Sequence, residues 1–290
     1  MRVTQNMLTS SSLRNLTDSY KKMGKYQDQL STGKKINRPS DDPVVAMKGM
    51  FYRSNLREVE QFKRNLSELY LWMENSEAGI EQASNAIHRV RELVVQGSNG
   101  TLSKQEKQAI AAEIGQLKDD VVSVANTKVA GRYIYNGSAV DKAPVDGSTN
   151  PPTAILNTND YTVEISRGVS LKANVNPDNI FSQNLFKDLQ DVVDTLNSDG
   201  DVSNILNKLD VHMDKLQAER SDLGARYNRL EMVDRRIAQQ EIMATRVLSD
   251  NEDIDMERVI TDLKSQESVH RAALAAGARI IQPTLLDFLR

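Results

Sequence analysis

The sequence contains no cysteine, and only 5% of its 290 residues are aromatic. Without cysteine the chain can form no disulfide, no thiol nucleophile and no thiolate metal site. A low aromatic content suits thin helical bundles better than a thick globular core. The missing cysteines fit a cytosolic protein and an exported one equally well, so they leave the compartment open.

Long hydrophobic runs are also missing. No stretch approaches the roughly 18 uncharged apolar residues that a membrane-spanning helix needs, and the start MRVTQNMLTSSSLRN lacks the apolar core of a cleavable signal peptide. By ordinary rules this favours a cytoplasmic protein. Lys and Arg number 37 against 40 Asp and Glu, with both signs interspersed. We therefore predict neither membrane binding nor nucleic-acid binding.

The chain also lacks the sequence motifs of common enzymes, such as a phosphate-binding glycine loop or a serine nucleophile at a strand-to-helix turn. His88, His212 and His270 fall on three different helical stretches, which favours ordinary packing or surface histidines over metal ligands. The acidic run 250–257 lacks the glycine and the final glutamate of a calcium loop. We predict no enzyme, cofactor or metal site, and an enzymatic role would need a hidden central pocket of polar groups.

A stretch from residue 42 to residue 96 carries an apolar or aromatic residue at every seventh position. Such spacing, with further apolar residues three places on, is typical of a helix that lies along other helices. Asp42 followed by Pro43 favours a helix start, and Gly97 favours a stop. The repeat consists of Val45, Tyr52, Val59, Leu66, Met73, Ile80, Ile87 and Val94.

This helix would be roughly 80 Å long at about 1.5 Å per residue. A compact domain of this chain length would be only about 50 Å across, so we expect an elongated molecule. The same seven-residue period returns after residue 202, at Leu209, Leu216, Leu223, Leu230, Ile237 and Ala244. Shorter helices are predicted at 13–30, 104–127, 181–196 and 256–289, and the acidic residues of 250–255 are expected to separate the last two helices of the chain.

The region 131–177 is the only one that predicts β-structure. It is rich in Gly, Pro, Asn and Asp, and 132–135, 161–165 and 169–175 read as short strands. Arg167-Gly168 is a plausible hairpin turn between the last two strands. These strands lie at the middle of the chain, with long helices on both sides and shorter helices at both ends.

This nested order predicts a mainly α fold: an elongated antiparallel helical bundle or coiled coil with paired N- and C-terminal helices and a small β-rich mid-chain domain. We divide it into a terminal coiled-coil assembly domain (1–42 and 250–290), a long-helix rod domain (43–130 and 178–249) and a β-rich outer domain (131–177). Two paired terminal helices can cover only part of each other's apolar stripes. We therefore predict an assembly interface at Leu13, Leu16, Tyr20, Met23, Leu30, Ile260, Leu263, Leu274, Ile281, Leu285 and Phe288.

Two sequence segments resemble the bacterial flagellin family. LSTGKKINRPSDDPVVAM (30–47) resembles its N-terminal segment, and RSDLGARYNRLE (220–231) resembles its C-terminal motif. The start MRVTQNM agrees, whereas the mid-chain strands carry little of the likeness. The ending LAAGARIIQPTLLDFLR (274–290) resembles family members at the hook-filament junction more than filament subunits. TRVLSDNEDID (245–255) is a looser and longer version of the compact Ser-Arg-Ile-x-Asp-x-Asp element that filament flagellins usually carry.

The resemblance implies a structural subunit of the flagellum that is exported uncleaved through the flagellar type III apparatus. It would be cytoplasmic only transiently and would then lie outside the cell at the hook-filament junction. Implied partners are copies of itself in a ring or helical layer, a hook-associated protein 1-like neighbour, filament flagellin and a cytoplasmic export chaperone. A filament flagellin with a small outer domain and an unrelated coiled-coil scaffold stay open as alternatives.

Overall fold

The structure is a computed structural model that describes residues 5–99 and 101–281. Its described residues are mainly helical, with one small region of short antiparallel strands, which confirms the predicted fold class. The helices are α1 Gln5–Thr32, α2 Pro43–Gly97, α3 Lys104–Ala125, α4 Pro177–Ile180, α5 Gln183–Asn197, α6 Ser203–Glu252 and α7 Met256–Ile281. No helix within these described residues is both long and apolar enough to span a membrane.

The 55-residue helix α2 begins where the sequence predicts. Asp42 accepts hydrogen bonds at Oδ1 from the backbone N–H groups of Val44 and Val45, at 3.0 and 3.1 Å, which satisfies two amides that have no partner within the helix. Pro43 occupies the first helical position, where its missing N–H costs no hydrogen bond. The seven-residue repeat is buried from Val59 onward.

Helix α6 carries the second predicted repeat, and its apolar positions from Leu209 to Ile237 are buried. Ion pairs with α2 show that the two helices run antiparallel, because Arg91 pairs with Asp210 whereas Glu77 pairs with Arg220. The predicted interruption at 250–255 is partly wrong. The helix continues to Glu252, and only 253–255 separate it from α7.

The β-rich region forms three separate antiparallel pairs. Its strands are β1 Lys128–Val129 with β2 Arg132–Tyr133, β3 Val145–Asp146 with β4 Thr153–Ala154, and β5 Thr162–Ser166 with β6 Val169–Lys172. The predicted hairpin turn is confirmed, since Gly168 lies between β5 and β6 with a φ of +70° that favours glycine. The predicted strands 132–135 and 169–175 are shorter in the structure, because irregular loops satisfy much of their backbone hydrogen bonding, and β1, β3 and β4 were not predicted.

Two aromatic contacts attach this region to α2. The Tyr135 hydroxyl donates a 2.9 Å hydrogen bond to the backbone oxygen of Ser76, and it lies directly over Gly79, where any side chain would collide with it. The Trp72 and Tyr161 rings lie 5.0 Å apart between their centres. Burial raises the pKa of the Tyr135 hydroxyl, because ionisation inside an apolar core is unfavourable.

The chain divides into two compact units. The first combines the residues up to Glu58 with those from Gln240 onward, and the second consists of Val59–Gln239. The contiguous hydrophobic core of the described residues lies in the second unit, between Val59 and Ile237. The three-domain division from the sequence stays a prediction.

Candidate functional site

Helices α1 and α7 pack along each other within the first unit. They are antiparallel, because Leu16 on α1 lies beside Gly277 near the end of α7, whereas Ser19, later on α1, contacts the earlier residue Gln266 on α7. A Cβ atom at Gly277 would stand 3.6 Å from Leu16 Cδ1, so the Leu16 side chain lies against α7 there. The structure thus brings together the two terminal segments that the sequence predicts as partners.

The contact between these helices follows alternating steps of three and four residues, which is the spacing of a coiled-coil seam. The less exposed positions are Ser12, Leu16, Ser19, Met23, Tyr26 and Leu30 on α1, and Val259, Leu263, Gln266, His270, Ala273 and Gly277 on α7. Several of these seam positions carry polar side chains. Sequence reasoning missed them because it counted only apolar residues; their spacing from Leu16 and Leu263 is the signal that could have found them.

The polar part of the seam is centred on Ser19, which is only 7% exposed. Its hydroxyl oxygen accepts a 2.8 Å hydrogen bond from Gln266 Nε2 and lies 3.3 Å from His270 Nδ1. The His270 ring also lies beside the ring of Tyr20, with 6.2 Å between their centres. Buried polar pairs in a coiled coil favour one register over others, because a shifted register would leave them unsatisfied.

The structure separates the predicted interface residues into two groups. Half-buried in the α1–α7 seam are Leu16, Met23, Leu30 and Leu263. Exposed on the outer sides of the pair are Leu13, Tyr20, Ile260 and Leu274. Ile281 is the last residue of α7, and the predicted residues Leu285 and Phe288 lie outside the described residues.

Exposed apolar side chains are unevenly distributed over the described residues. Fourteen of the twenty large hydrophobic side chains with high exposure belong to the first unit, although that unit is the smaller of the two. They include Leu13 at 53%, Tyr20 at 66% and Phe51 at 69%. Since a monomer gains nothing by exposing such residues, their concentration on one unit indicates a surface for protein contacts.

The loop between α1 and α2, which lies in the first resembling segment, is tied to the short break between α6 and α7. Lys34 Nζ donates a 2.6 Å hydrogen bond to Asp253, and the two residues also form an isolated antiparallel bridge. This contact raises the pKa of Lys34. The pKa of the Asp253 carboxyl is lowered, first by the hydrogen bond from Lys34 and then by one from Ser249.

The second resembling segment, 220–231, has a different position, in the second unit. Arg226 donates a 2.7 Å hydrogen bond from Nη1 to the backbone oxygen of Asn174, and its Nη2 lies 3.3 Å from Glu219 Oε1. Glu219 in turn accepts hydrogen bonds from Asn176 N and Asn179 Nδ2. This segment therefore fastens the end of the β-rich region to α6.

His212 and His270 have structural partners. His212 Nε2 lies 3.0 Å from the buried Asp188 Oδ2, and Lys208 Nζ lies 2.9 Å from the other oxygen of that carboxylate. The pairing with Asp188 raises the pKa of Lys208. Within residues 5–99 and 101–281 no cluster of three or more His, Asp or Glu side chains has the geometry to hold a metal ion.

Comparison with known protein families gives two matches. Residues 3–140 match the bacterial flagellin N-terminal helical region, and residues 206–289 match the bacterial flagellin C-terminal helical region. The two ranges contain the terminal helix pair and both resembling segments, and they leave out most of the β-rich region.

Two of the relatives align over nearly the whole chain. Flagellar hook-associated protein 3 of Escherichia coli is 26% identical over 95% of this chain and 96% of its own length. The flagellar filament 31.3 kDa core protein of Treponema maltophilum is 25% identical over the full length of both chains. The crystal structure of flagellar hook-associated protein 3 from Legionella pneumophila shares the fold, with a TM-score of 0.62 at 15% identity over 69% of this chain and 98% of that one.

Proposed function

This chain belongs to the bacterial flagellin family, and we propose that it is the structural subunit that joins the hook of the bacterial flagellum to its filament. The family consists of flagellar structural proteins, and we propose no enzymatic role for this member. The observation that carries the proposal is the concentration of exposed apolar side chains on the unit that holds both terminal helices. The alignment with a hook-associated protein over 95% of the chain supports the junction.

The proposed mechanism is helical self-assembly through the paired terminal helices. Helices α1 and α7 shield each other along their seam, and their outer residues Leu13, Tyr20, Ile260 and Leu274 would pack against neighbouring subunits. Each such side chain would contribute on the order of 1.5 to 3 kcal/mol when fully buried, so several together can exceed the ordering cost of association. A head-to-tail interface of this kind closes into a ring or continues as a helix.

The partners follow from this position. Copies of this chain would form one layer, with a hook-associated protein 1-like neighbour on the hook side and filament flagellin on the other side. The subunit would be exported through the flagellar type III apparatus, held before export by a cytoplasmic chaperone at its C-terminal segment, and would function outside the cell. The β-rich region would lie on the outer surface of the layer, where loops tolerate variation.

Immunogold electron microscopy of intact flagella tests this position. A single band of label between hook and filament is the expected result. Label along the whole filament would instead support a second candidate, a filament flagellin with a small outer domain, which is favoured by the full-length alignment with a filament core protein. Absence of label from flagella would contradict both.

A truncation tests the assembly mechanism. A variant without residues 1–30 loses most of α1 and with it the partner of α7. We expect it to be missing from flagella, whereas the wild-type chain expressed at the same level is incorporated. Normal incorporation of the truncated chain would show that the terminal pair is not the assembly element.

A further inference from the structure

Glu252 occupies an unusual position for a carboxylate. It is the last residue of α6, and it is only 4% exposed. A negative charge at a helix C-terminus opposes the partial negative charge of the terminal carbonyl groups, and removing it from water adds a further cost. Such a residue is stable only where other groups compensate its charge.

Two cationic side chains supply that compensation. Arg53 Nε, on α2, lies 2.7 Å from Glu252 Oε1, and Lys34 Nζ, in the loop after α1, lies 3.6 Å from Oε2. Gly49 makes room for the carboxylate on the surface of α2, because a Cβ atom there would stand 2.5 Å from Oε1. The carboxylate thus bridges the end of α6 to α2 and to the α1–α2 loop.

Backbone hydrogen bonds converge on the same point. Lys35 N donates to Glu252 O at 2.7 Å, and Ile254 N donates to Gly33 O at 3.1 Å. Asn251 Nδ2 donates to Val45 O at 3.1 Å, which adds the first turn of α2. Both chain connections to the α1–α7 pair, the loop 33–42 and the break 253–255, are therefore fixed at one place.

We propose that Glu252 is a positioning residue for assembly, whose carboxylate, held by Arg53 and Lys34 against Gly49, fixes the direction in which the α1–α7 pair leaves α2 and α6. Only two short connections join the pair to these helices. The direction of the pair therefore depends on the contacts of Glu252 with Arg53, Lys34 and Gly49, which we call the joint. A fixed direction would present the outer faces of every subunit to its neighbours at the same angle. This inference rests on the proposed function, since it concerns how the same terminal pair meets its neighbours.

Two substitutions perturb the joint by different routes. Glu252→Gln keeps the size of the side chain and removes its charge. Gly49→Ala keeps every charge and pushes the carboxylate away from α2, even though alanine is the better helix former. Asp250→Asn is the matched control, because Asp250 lies two residues from Glu252, is exposed and lies 4.0 Å from Arg246 in a weak pair.

The absence of cysteine allows a direct measurement on the full chain. Spin labels at Ser54→Cys on α2 and Ser265→Cys on α7, both exposed, report the distance between α2 and the terminal pair. We expect a narrow distribution in the wild type and in Asp250→Asn, and one about twofold broader in Glu252→Gln and Gly49→Ala, because a released joint samples more orientations. Circular dichroism confirms that each variant is folded.

Incorporation into flagella is measured separately, with the unlabelled variants. We expect about a tenfold loss for Glu252→Gln and Gly49→Ala, because a subunit with a variable direction must be ordered before it can associate. An unchanged distance distribution in both variants overturns the proposal, and so does a broad distribution with normal incorporation. If wild-type protein is itself absent from flagella, the proposed function fails, whereas a failure confined to the variants concerns the joint alone.

Discussion

Gln266 donates a 2.8 Å hydrogen bond from its Nε2 to the hydroxyl oxygen of Ser19, although 247 residues separate the two in sequence. The bond crosses the seam between the terminal helices, where Ser19 is almost fully buried. Among the described residues, no large apolar side chain is fully buried between the two helices near Ser19, so this one polar contact contributes strongly to fixing their register.

Replacing Ser19 with alanine should weaken this pair. The amide of Gln266 would lose its partner inside the seam, which costs about 1 to 3 kcal/mol. The double variant Ser19→Ala with Gln266→Met should recover much of that loss, because neither polar group is then left unpaired. The measurement is hydrogen exchange of the α7 amides, and Ser268→Ala, at an exposed position of the same helix, is the control. If the double variant lost more stability than the two single variants lose in sum, this account would be contradicted.

Polar substitutions on the outer side of the pair should reduce assembly without reducing the stability of the folded chain. Leu13→Ser and Tyr20→Ser remove apolar side chains that are 53% and 66% exposed in the monomer. We expect the free energy of unfolding to change by about 0.5 kcal/mol or less, whereas incorporation into flagella falls severalfold. Leu71→Ser, at a 47% exposed leucine of the second unit, should leave both quantities unchanged. Equal loss of incorporation in all three variants would argue against a terminal interface.

The Lys34–Asp253 pair predicts a defined pH dependence. Because the folded pKa of Asp253 is lowered, its stabilising contribution is complete above the ordinary carboxyl pKa of 3.8 and is lost as the pH falls through the lowered value. Lys34 has a raised pKa, so its contribution is complete below 10.5 and is lost as the pH rises through the raised value. Both side chains are more than two-fifths exposed, so the effect should be about 0.5 kcal/mol or less.

Urea unfolding of wild type and Asp253→Asn across pH measures this effect. The two proteins should differ at pH 7 and converge in acid, and added salt should reduce the difference. Asp262→Asn, on the neighbouring helix, is a control that leaves the pair intact. A difference between wild type and Asp253→Asn that persists in strong acid would indicate a loss of packing rather than of charge.

The free monomer should show two levels of amide protection. The second unit contains the contiguous apolar core, with Leu69, Ile80 and Ile87 fully buried, so its helices should exchange slowly. Helices α1 and α7 bury little apolar surface, so their amides should exchange faster than those of the second unit in dilute solution. Hydrogen exchange read by mass spectrometry measures both. Uniform protection along the described chain would contradict the prediction, and assembled protein should show slower exchange in α1 and α7.

The helical part of the fold could be predicted because its signals are local. The repeat from Val59 to Val94 forms the buried side of α2, and the Asp42-Pro43 start and the Gly97 end match the observed helix within a residue. The break near residue 250 was predicted too wide, because acidic residues suit both a helix start and an exposed helical turn. The pattern predicts the hairpin at Gly168 and the strand that contains β2, whereas β1, β3 and β4 are too short to produce an alternating pattern.

Local patterns in the sequence predict the helices and the hairpin at Gly168, because apolar periodicity, capping residues and glycine act over a few neighbouring residues. The nested order of the elements predicts that the two ends pair. The fold alone establishes which face of each terminal helix is the seam. It turned Leu13 and Tyr20 outward and Ser19 inward, since Gln266 and His270 on the distant helix α7 complement Ser19. It also buried Glu252, whose charge is acceptable only because folding brings Arg53 and Lys34 to it. Such partners are far apart in the chain, so no local pattern encodes them.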